Sequence, residues 1–167
     1  MDSVILTART LREKYAPQPA AAFIGPLLAA NNIRLDIWPM QTEKFAGCLW
    51  KNGDEWTILL NARQAQPRKL FTLAHELGHY FLHRHLKTHF SCSIFPTGPV
   101  SRWEQEANRF AAELLMPAGQ VLRWADTSPT RAARHFGVSE EALQYRLRSL
   151  SAVRSGGGKD GPPAEND

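Results

Sequence analysis

FTLAHELGHYFLH, from Phe71 to His83, is the stretch around which the rest of the chain is organised. Within it, HELGH places His75 and His79 four residues apart, with Glu76 beside the first histidine. On an α-helix this spacing puts both imidazoles on one face, one turn apart, where they can chelate a single zinc ion. Glu76 lies next to them, where a carboxylate can act as the base that activates water. The stretch therefore predicts a hydrolytic metal site on a helix.

The residues around this motif predict a helix that is buried along one face. Pro67 favours a helix start at that point, because proline is preferred at the first helical position. The motif residues and His83 fall on the face adjacent to the apolar stripe, so the histidines should border the core. Gly78 costs about 1 kcal/mol of helix stability relative to alanine, which indicates close approach by another element. The apolar stripe consists of Leu70, Leu73, Ala74, Leu77 and Phe81.

Length and composition indicate a globular protein with one core. The chain has 167 residues, of which 43% are hydrophobic and 22% charged, and its net charge is +4. No apolar run approaches a membrane span, and the N-terminus MDSVILTART lacks the layout of a signal peptide. Two cysteines, Cys48 and Cys92, are no disulfide framework. These features predict a cytoplasmic protein without membrane contact, and the scattered arginines do not argue for nucleic-acid binding.

The part of the chain before the motif predicts a small antiparallel sheet preceded by two helices. The helices are expected over residues 3–15 and 20–31, with Gly25-Pro26 breaking, kinking or restarting the second. Asn52-Gly53 is a hairpin signal between the last two strands. The strands are expected where apolar and polar residues alternate or β-formers cluster, at Ile33–Trp38, Phe45–Trp50 and Trp56–Asn61.

The part after the motif is predicted to be mainly helical. Residues 86–100 have no clear period and predict a loop long enough to suggest a function. A second strong helix should run from Ser101 to Met116, followed by a shorter one over 118–126. Two further helices are expected within residues 128–150, and residues 153–167 are predicted to form a disordered tail.

A zinc site that keeps one position open needs a third protein ligand, and three residues are candidates. His85 sits where the HExxHxxGxxH pattern would place a ligand, but the glycine of that pattern is a leucine in this chain. Glu104 lies on the inward face of the second helix. Glu106 shares a face with Arg109 and Glu113, where a solvated ion pair is the ordinary explanation. Periodicity therefore favours Glu104.

Other roles for these residues stay open. Ser101 and Glu104 match a capping box, in which the glutamate merely satisfies a backbone N–H. Asn108, one turn after Glu104, could orient a metal ligand through a hydrogen bond. The reaction also needs a group that stabilises the transition state. His83, Tyr80 and a residue of the following loop are all candidates, and the sequence does not choose among them.

Taken together, these motifs resemble the ImmA/IrrE family of bacterial and phage metallopeptidases. HELGHYFLH followed by EQEANRFAAELLMP carries the resemblance, as do LLN…RKLFTLA and HFGVSEEALQYRL. It covers about residues 30–150. It implies an α+β, zincin-like minimal metalloprotease domain over residues 1–152. In that fold a small antiparallel sheet packs on the HExxH helix, and additional helices follow towards the C-terminus.

The resemblance also implies a site and a function. It assigns one zinc ion per chain to His75, His79 and Glu104, and the role of catalytic base to Glu76. Family members typically cleave a helix-turn-helix transcriptional repressor encoded nearby, and so act as anti-repressors or stress-response regulators. A zinc endopeptidase with such a protein substrate is therefore expected.

The alternative is a DNA-binding regulator, or a non-catalytic one that only docks onto a repressor. The segment 128–150 has the layout of a helix-turn-helix, with Gln144, Arg146 and Arg148 expected to be exposed. In the simpler interpretation the two helices pack on the peptidase domain through an apolar stripe. We favour this interpretation, because the same segment recurs in the family as part of the peptidase module.

Overall fold

The computed structural model describes residues 2–15, 19–42, 44–93 and 99–156 of the chain. These residues form an α+β fold of seven helices and a four-stranded sheet, which confirms the predicted fold class. In chain order the elements are α1 (Ser3–Tyr15), α2 (Ala20–Ala30), β1 (Ile33–Trp38), β2 (Phe45–Asn52), β3 (Glu55–Asn61), α3 (Gln66–His83), β4 (His89–Ser93), α4 (Arg102–Leu115), α5 (Ala118–Arg123), α6 (Pro129–Phe136) and α7 (Glu140–Gly156).

The sheet is mixed rather than antiparallel, with the strand order β1-β3-β2-β4. The predicted hairpin joins β2 to β3, with Asn52 opposite Glu55 and Gly53 at a φ of +60° in the turn. The prediction of an antiparallel sheet was wrong for β1, which runs parallel to β3. The hairpin leaves one edge of β3 free, and β1 enters beside that edge in the same direction.

The predicted loop over residues 86–100 contains a fourth strand. β4 pairs antiparallel with β2, with Phe90 opposite Leu49. Phe90 is buried, whereas the neighbouring His89 and Ser91 are exposed. Three described side chains are too few for a readable alternation, and the backbone pairing of the strand with β2 is what defines it. The rest of the predicted loop includes residues 94–98, which lie outside the described part of the chain.

The expected interruption at Gly25-Pro26 is absent from α2, which runs without a break from Ala20 to Ala30. Proline removes only one helical N–H donor and clashes with the preceding turn. The apolar face of α2 is fully packed, and this packing holds the helix together. It consists of Phe23, Ile24, Leu27 and Leu28, each at most 6% exposed.

The motif helix α3 lies between the sheet and α4 and contacts both. Because it is covered on two sides, every residue from Thr72 to Tyr80 is buried. Gly78 faces α4. A Cβ at this position would lie 3.0 Å from the Cα of Ala107 and 3.2 Å from its carbonyl oxygen. The close approach predicted from Gly78 is therefore present, and it brings the α4 backbone against the histidine motif.

The C-terminal helices pack on this core through a buried ion pair that the sequence did not predict. Arg146 of α7 forms an ion pair with Glu113 of α4 and donates to the carbonyl oxygen of Met116 at 3.1 Å. Arg9 of α1 binds the other carboxylate oxygen of Glu113 at 2.8 Å. The expectations that Arg146 is exposed and that Glu113 lies on a solvated face were wrong, since they are 9% and 2% exposed. A buried carboxylate needs both cations, and three helices converge to supply them.

At its C-terminus α7 continues to Gly156, beyond the expected end of the domain at residue 152. The remainder of the predicted tail, residues 157–167, lies outside the described residues. Among the helices that are described, none has the length and apolar character needed to cross a membrane.

Candidate metal centre

The two motif histidines point their Nε2 atoms at one spot. His75 and His79 occupy successive turns of α3 and are 2% and 1% exposed. Their Nε2 atoms are 3.1 Å apart. Burial lowers the pKa of His79, which favours the neutral imidazole that metal binding requires.

Glu104 completes this cluster from the first turn of α4. One of its carboxylate oxygens lies 3.1 Å from Nε2 of His75 and the other 3.0 Å from Nε2 of His79. The backbone N–H of Glu104 donates to Oγ of Ser101 at 3.3 Å, so the serine caps the helix as expected. The glutamate side chain does not return to the cap, and only half of the predicted capping box is formed.

The donor atoms fit a zinc ion in number, chemistry and spacing. The side chains of His75, His79 and Glu104 offer ligand atoms within 4.8 Å of one another. Zinc–nitrogen bonds of about 2.0–2.1 Å place two tetrahedral ligands roughly 3.3 Å apart, close to the separations in this cluster. Burial by itself would raise the pKa of Glu104, but hydrogen bonds with the two histidines outweigh it and hold the pKa well below its ordinary value. Two imidazoles and an ionised carboxylate form a typical three-ligand catalytic zinc set.

Glu76 is buried beside this cluster with no partner for its carboxylate. Both of its oxygens lack a hydrogen-bond partner among the described residues, and the residue is 0% exposed. Burial, and secondarily the negative charge of Glu104, raises the pKa of Glu76 well above its ordinary value. An unpaired buried carboxyl is costly for a fold. Such a group is typical of a site that acts on a proton.

Asn108 forms a hydrogen bond with His75 on the side of the ring that faces away from the cluster. Its Oδ1 lies 2.9 Å from Nδ1 of His75, on the opposite side of the ring from the cluster. Since the amide oxygen only accepts, Nδ1 of His75 carries a proton, and Nε2 is the atom with which this ring would bind a metal. The orienting role predicted for Asn108 therefore has the required geometry.

A chain of hydrogen bonds holds the second histidine in the same way. Nδ1 of His79 lies 3.1 Å from Nδ1 of His83, and Nε2 of His83 lies 3.0 Å from Oε2 of Glu106. Arg102 donates to the other oxygen of Glu106 at 2.7 Å. Hydrogen bonds from His83 and Arg102 lower the pKa of Glu106, so the chain ends on a carboxylate. It keeps a proton on Nδ1 of His79, so Nε2 is the atom with which this ring would bind a metal.

The contacts of the remaining candidate site residues distinguish them from one another. His83 lies on the Nδ1 side of His79, away from the cluster, and forms a hydrogen bond with that ring. The hydroxyl of Tyr80 is directed to the carbonyl oxygen of Asn31, at 3.4 Å. His85 is exposed in the turn after α3 and belongs to no ligand cluster of the described residues. Glu106 is absent from the His75–His79 cluster and binds His83 instead.

Two contacts of the site were missed from the sequence. Phe90 of β4 stacks on the ring of His79, with centroids 4.4 Å apart and an interplanar angle of 15°. The bond between His83 and Glu106 had a partial signal, because His83 follows His79 by one helical turn. Nothing local to Glu106 indicated its partner, since the contact depends on how α3 and α4 are placed.

Known proteins are similar to this chain over the part that carries the cluster. The model of the peptidase M78 family, described as the IrrE N-terminal-like domain, matches residues 30–148. The uncharacterised immunity region protein 2 of Bacillus phage phi105 is 37% identical over 128 residues, which span 74% of this chain and 77% of the relative. Metallopeptidase ImmA of Bacillus subtilis strain 168 is 29% identical over 106 residues, or 61% of each chain. The residues matched by the family model include the whole histidine and glutamate cluster, and the chain belongs to the ImmA/IrrE family of metallopeptidases.

Proposed function

We propose that the chain is a zinc-dependent endopeptidase that hydrolyses a peptide bond in a partner protein. The observation that supports this most directly is the convergence of His75, His79 and Glu104 within 4.8 Å, beside the buried and unpaired Glu76. The three residues would hold one zinc ion per chain. When bound, zinc supplies a Lewis acid that polarises a carbonyl and lowers the pKa of water.

In this proposal Glu76 is the catalytic base. Its carboxyl has no competing hydrogen bond among the described residues, so it is free to hold a proton. It would take the proton of the attacking water and deliver it to the leaving amine nitrogen. Burial raises the pKa of Glu76, so its ionised carboxylate is a stronger base towards the proton of the water.

The surrounding residues position this machinery. Asn108 and His83 each receive the Nδ1 proton of a ligand histidine, so both Nε2 lone pairs are directed at the metal position. Glu106 in turn holds the ring of His83. Partners of this kind keep a ligand in one tautomer and orientation without touching the substrate.

We propose a helix-turn-helix repressor encoded near this chain as the substrate, and the cytoplasm as the place of action. The family resemblance supports this choice, and the name of the phage relative refers to an immunity region. We also propose that residues 1–152 act as one domain, which the ion pairs of Glu113 with α1 and α7 support. Direct DNA reading by residues 128–150 is disfavoured, because Arg146 and Leu143 are buried in the packing of α7.

Co-expression with the neighbouring repressor tests the proposed activity. The parent chain should yield a cleaved repressor, and Glu76→Gln should abolish cleavage while one zinc per chain remains bound. Glu104→Ala should lose zinc and activity together. Glu55→Gln, which changes an exposed carboxylate at the start of β3, is the matched control and should behave like the parent. Undiminished cleavage by Glu76→Gln would show that the catalytic assignment is wrong.

A further inference from the structure

A second concave surface lies along α4. It is a cleft of about 1430 Å³ between α1, the start of α3, the outer face of α4 and the helix α7. Much of its wall is apolar, contributed among others by Ile5, Phe71, Ala112, Met116 and Leu150. We call it the arginine cleft, because six arginines and only two glutamates line it.

Three of these arginines have no acidic partner. Arg63, Arg68 and Arg148 are exposed and form no ion pair within the described part of the chain. The other three form ion pairs: Arg9 and Arg146 share the carboxylate of Glu113, and Arg109 pairs with Asp2. Arg63 and Arg68 stand just before and within the first turn of α3, and Arg148 stands on α7, so two elements of the cleft wall supply these guanidinium groups. An anionic group bound in the cleft would be attracted by their positive charge.

The cleft and the candidate metal centre are joined by one residue, Asn108. Asn108 lines the cleft and also binds Nδ1 of His75 at 2.9 Å. The ligand atom of His75 is Nε2, on the opposite side of the ring, so an occupant of the cleft would not sit at the reacting bond. It would bind beside the catalytic site and leave that site accessible.

We propose that the arginine cleft is an exosite that docks an acidic segment, interspersed with apolar residues, of the protein substrate. This inference rests on the proposed peptidase function for the identity of the partner. The pairing of apolar walls with free guanidinium groups matches a peptide that carries both carboxylates and aliphatic side chains. Duplex DNA presents a convex surface of phosphates and offers nothing to the apolar walls of a concave cleft.

Docking can be measured without a known substrate. The probe is a short fluorescein-labelled peptide of alternating glutamate and leucine, and binding to the full chain carrying Glu76→Gln is followed by fluorescence anisotropy. The combined variant Arg63→Glu, Arg68→Glu and Arg148→Glu should weaken binding by about tenfold or more, since three exposed charge contacts are each worth a few-fold. The same peptide with glutamine in place of glutamate should bind no better to the parent than to the variant.

A matched variant distinguishes the cleft from overall charge. Lys51→Glu, Arg123→Glu and Arg131→Glu change three exposed cations outside the cleft by the same total charge, and this variant should keep the affinity of the parent. Equal weakening by both variants would overturn the proposal, as would tighter binding of a DNA duplex than of the peptide at the same salt concentration. Substitution of the three cleft arginines by glutamine provides a milder second variant with the same expected direction.

The experiments distinguish failure of the exosite proposal from failure of the proposed peptidase function. The cleft variants should retain their zinc, because none of the three arginines contacts the metal cluster. Loss of peptide docking with zinc retained, together with a raised KM and an unchanged kcat for the repressor, would support an exosite. Peptide binding that is unaffected by the cleft variants would refute it without bearing on Glu76 or the metal ligands.

Discussion

Replacing Glu106 gives the sharpest test of how the site is held together. Its carboxylate accepts from Nε2 of His83 at 3.0 Å, and His83 in turn accepts from Nδ1 of His79. Loss of such an outer partner typically lowers metal affinity by about 10- to 100-fold, or about 1.4–2.7 kcal/mol. Glu106→Gln keeps an acceptor oxygen and loses only the charge, so we expect about a tenfold loss of zinc affinity. Glu106→Ala leaves the His83 N–H unpaired and should approach the upper limit.

The assay is competition for zinc against a chromophoric chelator, with Glu141→Gln as the control for loss of a surface charge. The nitrogen chemical shifts of His79 provide a second readout, because a free ring would show a mixture of tautomers whereas a merely destabilised fold would not. Zinc affinity unchanged in Glu106→Ala would refute the positioning role. From the sequence, which places Glu106 on a solvated face, no effect would be expected, so the experiment separates the two descriptions of this residue.

Three further outcomes follow from the packing. Gly78→Ala should lower the free energy of unfolding by about 1–3 kcal/mol, because the added Cβ meets the backbone of α4. Gly119→Ala is the control and should leave the free energy of unfolding unchanged, since a Cβ there meets nothing within 4 Å. Equal denaturation midpoints for the two variants would contradict this prediction. Glu113→Leu leaves the buried guanidinium of Arg146 unpaired and should destabilise the fold by about 3–5 kcal/mol. A urea unfolding curve like that of the parent would show that the ion pair does not contribute to stability. Burial, and secondarily the charge of Glu76, raises the pKa of Cys48 to about 11. At pH 8.5 its thiolate should therefore be roughly 100-fold scarcer than that of an unfolded cysteine, and alkylation followed by peptide mapping should find it protected. Because the folded state favours the neutral thiol, this contribution to stability is complete below the pKa of an unfolded cysteine and is lost as the pH rises towards 11.

The arginine cleft and the metal centre share one structural element. Asn108 binds His75 on one side and lines the cleft on the other. The helix α4 therefore carries the candidate ligand Glu104 at its first turn and, further along, part of the wall of the proposed docking surface. A substrate held in the cleft would be anchored to the same helix that presents Glu104, so docking and cleavage would share one rigid frame.

Local patterns in the sequence were sufficient for the motif helix and its immediate chemistry. The spacing of His75 and His79 fixes their common face, because the helical period is a property of the backbone itself. Periodicity along α4 also separated Glu104 from Glu106, since the inward face of an amphipathic helix can be read from its own residues. The tight contact at Gly78 was likewise predicted from a single unfavourable residue in a helix.

Tertiary structure decided everything that depends on two distant segments meeting. No local sequence pattern indicated that β1 would run parallel to β3, or that Phe90 would stack on His79. The bond between His83 and Glu106 and the burial of Glu113 belong to the same class. Side chains 23 or more residues apart meet only after helices have packed, and packing is set by the summed fit of many weak contacts. The sequence thus determined which residues could bind a metal, and the fold determined what holds them in place.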